Sequence, residues 1–153
     1  PSAIATGTVA VCGLVAITPA SGFVGPMAAL SIGIIAGVVT YAALYFRMKK
    51  IFIDDTLDVW AAHGIGGVSG ALLTGVFAEK VINSAGNNGL LFGNPQLLGI
   101  QAITILIVAV YSFFMTVIIL KLLSLRFELR VSNSDEKQGL DVAVHGESGY
   151  QFT

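Results

Sequence analysis

The sequence predicts an all-α integral membrane protein, a polytopic bundle of transmembrane helices. Composition and the placement of charge carry that prediction. Of 153 residues, 55% are hydrophobic and 11% charged, and the mean hydropathy is +0.84, far from an average soluble domain. No charged residue occurs before Arg47, from 59 to 78 (a stretch interrupted only by His63), or from 81 to 120. Runs of this kind need lipid as their solvent.

Breakers divide the chain into four apolar segments, at about 1–18, 23–46, 56–78 and 97–123. About 20 helical residues cross the hydrocarbon core, so the three later segments are long enough to span. The first falls slightly short and reads as a truncated helix. The opening at Pro1, without Met, Lys or Arg, reads as an interior cut rather than a signal peptide. Between the first two segments, "TPASGFVGP" carries Pro19, Gly22 and Pro26, which remove donors and allow a reversal. "NSAGNNGLLFGNPQ", 83–96, is a longer Gly- and Asn-rich loop. The chain turns polar near its end, which sets transmembrane helices over 1–130 and an aqueous tail over 131–153.

Positively charged loops stay on the cytoplasmic side. Arg47, Lys49 and Lys50 follow the second span, and Lys121, Arg126 and Arg130 follow the fourth, whereas the opposite side offers only Lys80. The expected arrangement is a multi-pass protein of the cell membrane with 47–55 and the C-terminal tail cytoplasmic and 83–96 outside. Small residues, including Gly33 and Gly37 in a GxxxG step and Gly66 with Gly70, allow close helix packing in the bilayer. Cys12 lies alone in an apolar run and forms no intrachain disulfide. A net charge of −1 without a basic cluster excludes nucleic acid as a partner.

"DDTLDVWAAHGIGG", 54–67, sets carboxylates and an imidazole at the mouth of an apolar run. Asp54 and Asp55 precede the third helix, where a carboxylate accepts from free amide groups and meets the positive end of the dipole. Asp58 follows Asp55 at the spacing of an acidic capping box. His63 falls roughly 12 Å along the axis from Asp55, near the midplane. Regular α-helical spacing sets Val59, His63, Gly67 and Gly70 on one face, which could border a narrow passage. A lipid-facing imidazole would leave its nitrogens unpaired, so His63 is expected to point into the bundle or toward water, neutral if buried. A neutral ring has one donor and one acceptor and suits proton transfer or the holding of a small polar molecule. The plainer reading is an interhelical hydrogen bond. No metal or other cofactor is expected, because His145, the only other histidine, lies in the tail and neither HxxxH nor CxxC spacing occurs. Nor is there a nucleophile with a nearby base, so the chain reads as no enzyme.

These residues resemble a known family. "DDTLDVWAAHGIGGVSGALLTGVFA" is similar to the tenth transmembrane helix of the ammonium transporter family, which includes methylammonium permeases and Rhesus proteins. "GLVAITPASGFV", 13–24, resembles the segment joining that family's eighth and ninth helices, and "GLDVAVHGESGY", 139–150, its cytoplasmic tail motif. The resemblance implies that the chain is the last three helices, part of a fourth and the tail of an eleven-helix subunit that assembles as a homotrimer. It implies that His63 is the second member of a twin-histidine pair lining a hydrophobic pore. Ammonium is then deprotonated at entry, and ammonia and the proton cross by way of the histidines. Val59 and Ile17 are implied as apolar pore lining near the cytoplasmic half, and Asp55 as the acidic residue organising the helix start. Gly139, Asp141, His145, Gly146 and Tyr150 match the regulatory tail, which packs on a neighbouring subunit's cytoplasmic face. A PII-type signalling protein is the further partner implied there.

Two other readings compete. One is the membrane sensor part of an ammonium-responsive signalling protein, which would normally continue into a transmitter domain, whereas this chain stops at Thr153. The other is a structural bundle in which His63 only joins helices.

Overall fold

A computed structural model describes residues 3–50 and 54–148, with side chains described from residue 6 onward. Tyr150 therefore lies outside the described residues. Among them there are six α-helices and no strand. In order these are α1 (Ala3–Ile17), α2 (Pro26–Lys50), α3 (Gly66–Phe77), α4 (Pro95–Ser124), α5 (Asn133–Gln138) and α6 (Leu140–His145). The chain divides into two units, residues 1–108 and 109–153, with the division inside α4.

In the first unit α1, α2 and α3 pack against one another. The reversal between α1 and α2 uses each breaker for a distinct purpose. Pro19 lies in a 3₁₀ turn, Thr18–Ala20, Gly22 takes φ +79°, and Pro26 occupies the first position of α2, where a missing N–H costs nothing. Thr18 Oγ1 donates back to Leu14 O at 2.7 Å as α1 ends. Ala16, Ala20, Ile32 and Ala36 form the buried centre, with Ile17, Val24, Leu73 and Phe77 against it. Alanine dominates because in lipid close backbone approach replaces the hydrophobic drive.

That approach is tightest at Gly70. A Cβ there would stand 2.1 Å from Ala16 O, so α3 rides directly on the backbone of α1. Gly33 and Gly37 behave differently: nothing lies within 4 Å of a Cβ at either. The GxxxG step of α2 thus makes no close contact among the described residues, and the helix-on-helix glycine packing of this unit belongs to α3. The α3 end is tied to the reversal by Glu79 N–H donating to Phe23 O at 2.8 Å. Beyond it, Gly89 N–H donates to Ala78 O at 2.7 Å and Lys80 N–H to Asn88 Oδ1 at 2.8 Å, so the polar loop folds back on the helix.

Two helices, Pro26–Lys50 and Pro95–Ser124, are continuous and apolar enough to cross a bilayer. The third predicted span is not one regular α-helix. Its first part, Trp60–Ile65, is a π-helix, and α-helical geometry begins only at Gly66. Gly66 N–H reaches Ala61 O, five residues back, which is the π bond. In the second unit, the short α5 and α6 follow α4. Ser132 caps α5 by accepting from Asp135 N–H at 3.2 Å, and Arg130 holds Glu136 through two nitrogens.

Candidate functional site

The site is built where α2 ends and the histidine helix begins. Asp55 caps that helix with both oxygens. Val59 N–H donates to its Oδ1 at 2.9 Å and Trp60 N–H to its Oδ2 at 2.8 Å, satisfying donors that no helical carbonyl can reach. The Trp60 N–H is the main reason the Asp55 carboxyl is held below its ordinary value of 3.8. Partial desolvation works the other way, while the Val59 N–H and the positive charge of Arg47 lower it further.

Asp58 departs from the capping-box expectation. It adopts φ +56°, and its carboxylate turns to Arg47 and forms an ion pair. Left-handed backbone at residue 58 carries the carboxylate away from the helix start, which leaves Asp55 as the cap. Arg47 also donates through its other terminal nitrogen to Asp55 O at 3.0 Å. Its charge pattern had indicated only a cytoplasmic flank. Arg47 is thus a residue of the site that charge counting missed, and the signal available was a short connection returning acidic residues to the end of an Arg-bearing helix.

His63 lies in the middle of the π-helix and is exposed, with Ala61 and Ala62 taking the buried positions beside it. The imidazole therefore does not enter the space between α1, α2 and α3, as an inward-pointing histidine would. The physical reason is local. Two methyl side chains fill the narrow gap against α1 and α2, and the next residue faces outward. Val59, 49% exposed, opens the same helix. The predicted stripe is broken further on, because a π-turn advances less per residue than an α-turn. Gly67 is half-buried near Val15, and Gly70 is buried on Ala16.

Ile17 does not join Val59. It ends α1, packs on the buried alanines and borders an open groove with Pro26, Ala29 and Gly33. Ala16, beside it, contacts Gly70, so Ile17 stands far along the helix from Val59. α1 and the histidine helix run parallel, their ends meeting at Glu79 N–H and Phe23 O, so Ile17 and Val59, implied as pore lining of the same half, stand at different levels. In the tail, Gly139 takes φ +97° and is both the last cap of α5 and the first of α6. Asp141 lies in the first turn of α6 and His145 ends it, with Gly146 at φ +71° closing the helix.

An apolar helical bundle with two bilayer-length helices and a titratable ring on a helix otherwise without charge is the architecture of a polytopic integral membrane protein. The chain belongs to the Ammonium Transporter Family, whose model matches residues 2–150. It is 43% identical over 151 residues to an ammonium transporter of Bacillus subtilis, covering 99% of this chain and 37% of that protein. It is 45% identical over 150 residues to ammonium transporter Amt1 of Archaeoglobus fulgidus, covering 98% of this chain and 38% of the relative. Among solved structures, Mep2 of Saccharomyces cerevisiae superposes with a TM-score of 0.72 at 31% identity, over 81% of this chain and 29% of that one. The delta442 mutant of Candida albicans Mep2 gives 0.73 at 34% identity, over 80% and 32%. The chain thus spans little more than a third of the relatives' length. The relatives of Bacillus subtilis and Archaeoglobus fulgidus are named as ammonium transporters.

Proposed function

We propose that the complete protein carries ammonium or ammonia across the membrane through a hydrophobic pore lined by a pair of histidines, of which His63 is one. The observation that supports this most directly is the position of His63: exposed on the π-turn of a segment that carries no charge from 59 to 78. Moving ammonium into such surroundings is costly, whereas neutral ammonia needs only hydrogen bonds, which a neutral imidazole can both give and accept. Ammonium therefore gives up its proton on entry, and selectivity against potassium follows because potassium has none to give. The second histidine and the remaining walls of the pore belong to parts of the subunit beyond this chain. In the same reading the subunit forms a homotrimer in the cell membrane. The tail lies on the cytoplasmic side, where residues 139–150 couple neighbouring subunits and offer a face to a PII-type signalling protein.

The test is methylammonium uptake by the full-length protein in liposomes, comparing wild type with His63→Ala and monitoring trimer content. Loss of uptake, or of selectivity over potassium, with trimers intact is the expected result. Unchanged uptake and selectivity would make the imidazole structural and remove the reading.

A further inference from the structure

We propose that Arg47 is a positioning residue for His63, acting through the backbone of Asp58; the inference rests on the transport reading above. The side chain of Arg47 is 13% exposed and that of Asp58 29%, so their ion pair is partly shielded from solvent. One guanidinium nitrogen donates to Asp55 O at 3.0 Å and another to the Asp58 carboxylate. Two acceptors from two residues at fixed separation suit a planar guanidinium and not a single ammonium point.

What these contacts hold is a backbone conformation. Asp58 takes φ +56°, a region that L residues enter seldom, Asp more readily than most. Its carbonyl accepts from Ala62 N–H at 2.9 Å. The residue in the unusual conformation therefore supplies an acceptor to the turn that carries the imidazole. Asp55 fills the neighbouring donors of Val59 and Trp60. Arg47 thus grips both anchors of the turn, one by its carbonyl and one by its carboxylate. If Asp58 relaxed to right-handed backbone, its carbonyl would leave Ala62 and the turn would reseat. In a π-helix, whose register is held by few bonds, reseating changes where residue 63 points. A bridge that merely joined two helices would not govern that direction.

The experiment uses the full-length protein labelled with 15N-histidine in liposomes, with the His63 ring signals assigned by their loss in His63→Ala. Arg47→Gln and Asp58→Asn are each expected to shift those signals. Each should also lower maximal methylammonium uptake per assembled trimer roughly tenfold at little-changed apparent KM, as misaim of a reacting group does. The double variant should be no worse than either single one. Ring signals unmoved in Arg47→Gln, or losses that multiply in the double variant, would overturn the proposal. Shifted signals with wild-type uptake would uphold the positioning role and instead refute transport through His63. Should Arg47→Gln fail to assemble, Arg47→Lys keeps the charge without the two-pronged geometry and is read by the same signals, with the same expected shift and the same overturning result.

Discussion

Replacing Gly70 by alanine tests the tightest glycine contact among the described residues. The added Cβ would lie 2.1 Å from Ala16 O and 2.8 Å from both Ala16 C and Ala16 Cα. All three are backbone atoms, so no side chain can swing aside. To reach 3.4 Å, where ordinary contact begins, the two helices must separate by about 1.3 Å at this level. Ala16, Ala20, Ile32 and Ala36 pack around the same point, so separation also loosens the buried centre. The cost should fall at the upper end of the overpacking range, about 3 kcal/mol. The assay is a denaturing-detergent titration of the full-length protein, with Gly67→Ala as the comparison. At Gly67 the nearest atom to the new methyl is Val15 Cγ1 at 3.9 Å, an ordinary contact. There the better helix propensity of alanine should leave stability unchanged or raised by up to about 1 kcal/mol. If Gly70→Ala unfolds at the same detergent fraction as wild type, α1 and α3 do not touch backbone to backbone, and the packing argument fails.

Two further expectations follow from the helix ends. Because the folded Asp55 carboxyl is held below its ordinary 3.8, it stabilises the fold fully above that pH. The contribution should vanish as pH falls through the lowered value, and Asp55→Asn should flatten that acid limb in a thermal-unfolding series; an unchanged limb would discount the cap. At Gly139, φ +97° and Asp141 Oδ1 only 2.8 Å from a built Cβ mean that Gly139→Ala should lower the helicity of the isolated tail peptide. Circular dichroism equal to that of the unmodified peptide would count against the shared cap.

Much of the bundle was legible because charge and breakers are coarse signals that lipid enforces strictly. The run without charge before Arg47 and the Pro19, Gly22 and Pro26 reversal each correspond to a helix or turn with a plain physical cause. The acidic start of the histidine helix was legible too, since a carboxylate before an apolar run has few better partners than free amides. The π-turn was not. Six residues, Trp60–Ile65, are too few for hydrophobic periodicity to tell a helix closed at four residues from one closed at five, and the difference lies in contacts made elsewhere. Asp58 was misread for a related reason: spacing suggests a capping box, but only the fold brings Arg47 to it. Ile17 shows that a level along the helices is not read from a motif: α1 and the histidine helix run parallel, so the end of one lies far from the start of the other. For Gly33 and Gly37, a pattern of small residues indicates that close approach is permitted, and the geometry indicates where it is used.

The wide turn has a consequence for how the histidine helix tolerates its two ends. At one end the acidic residues and Arg47 dictate the rotation of the first residues; at the other, Gly70 must face Ala16 and no other angle will seat it. A regular helix would transmit either demand rigidly to the other end. The π stretch works as a vernier between two fixed scales, taking up the angular remainder in a few residues, and the imidazole rides on the sliding part.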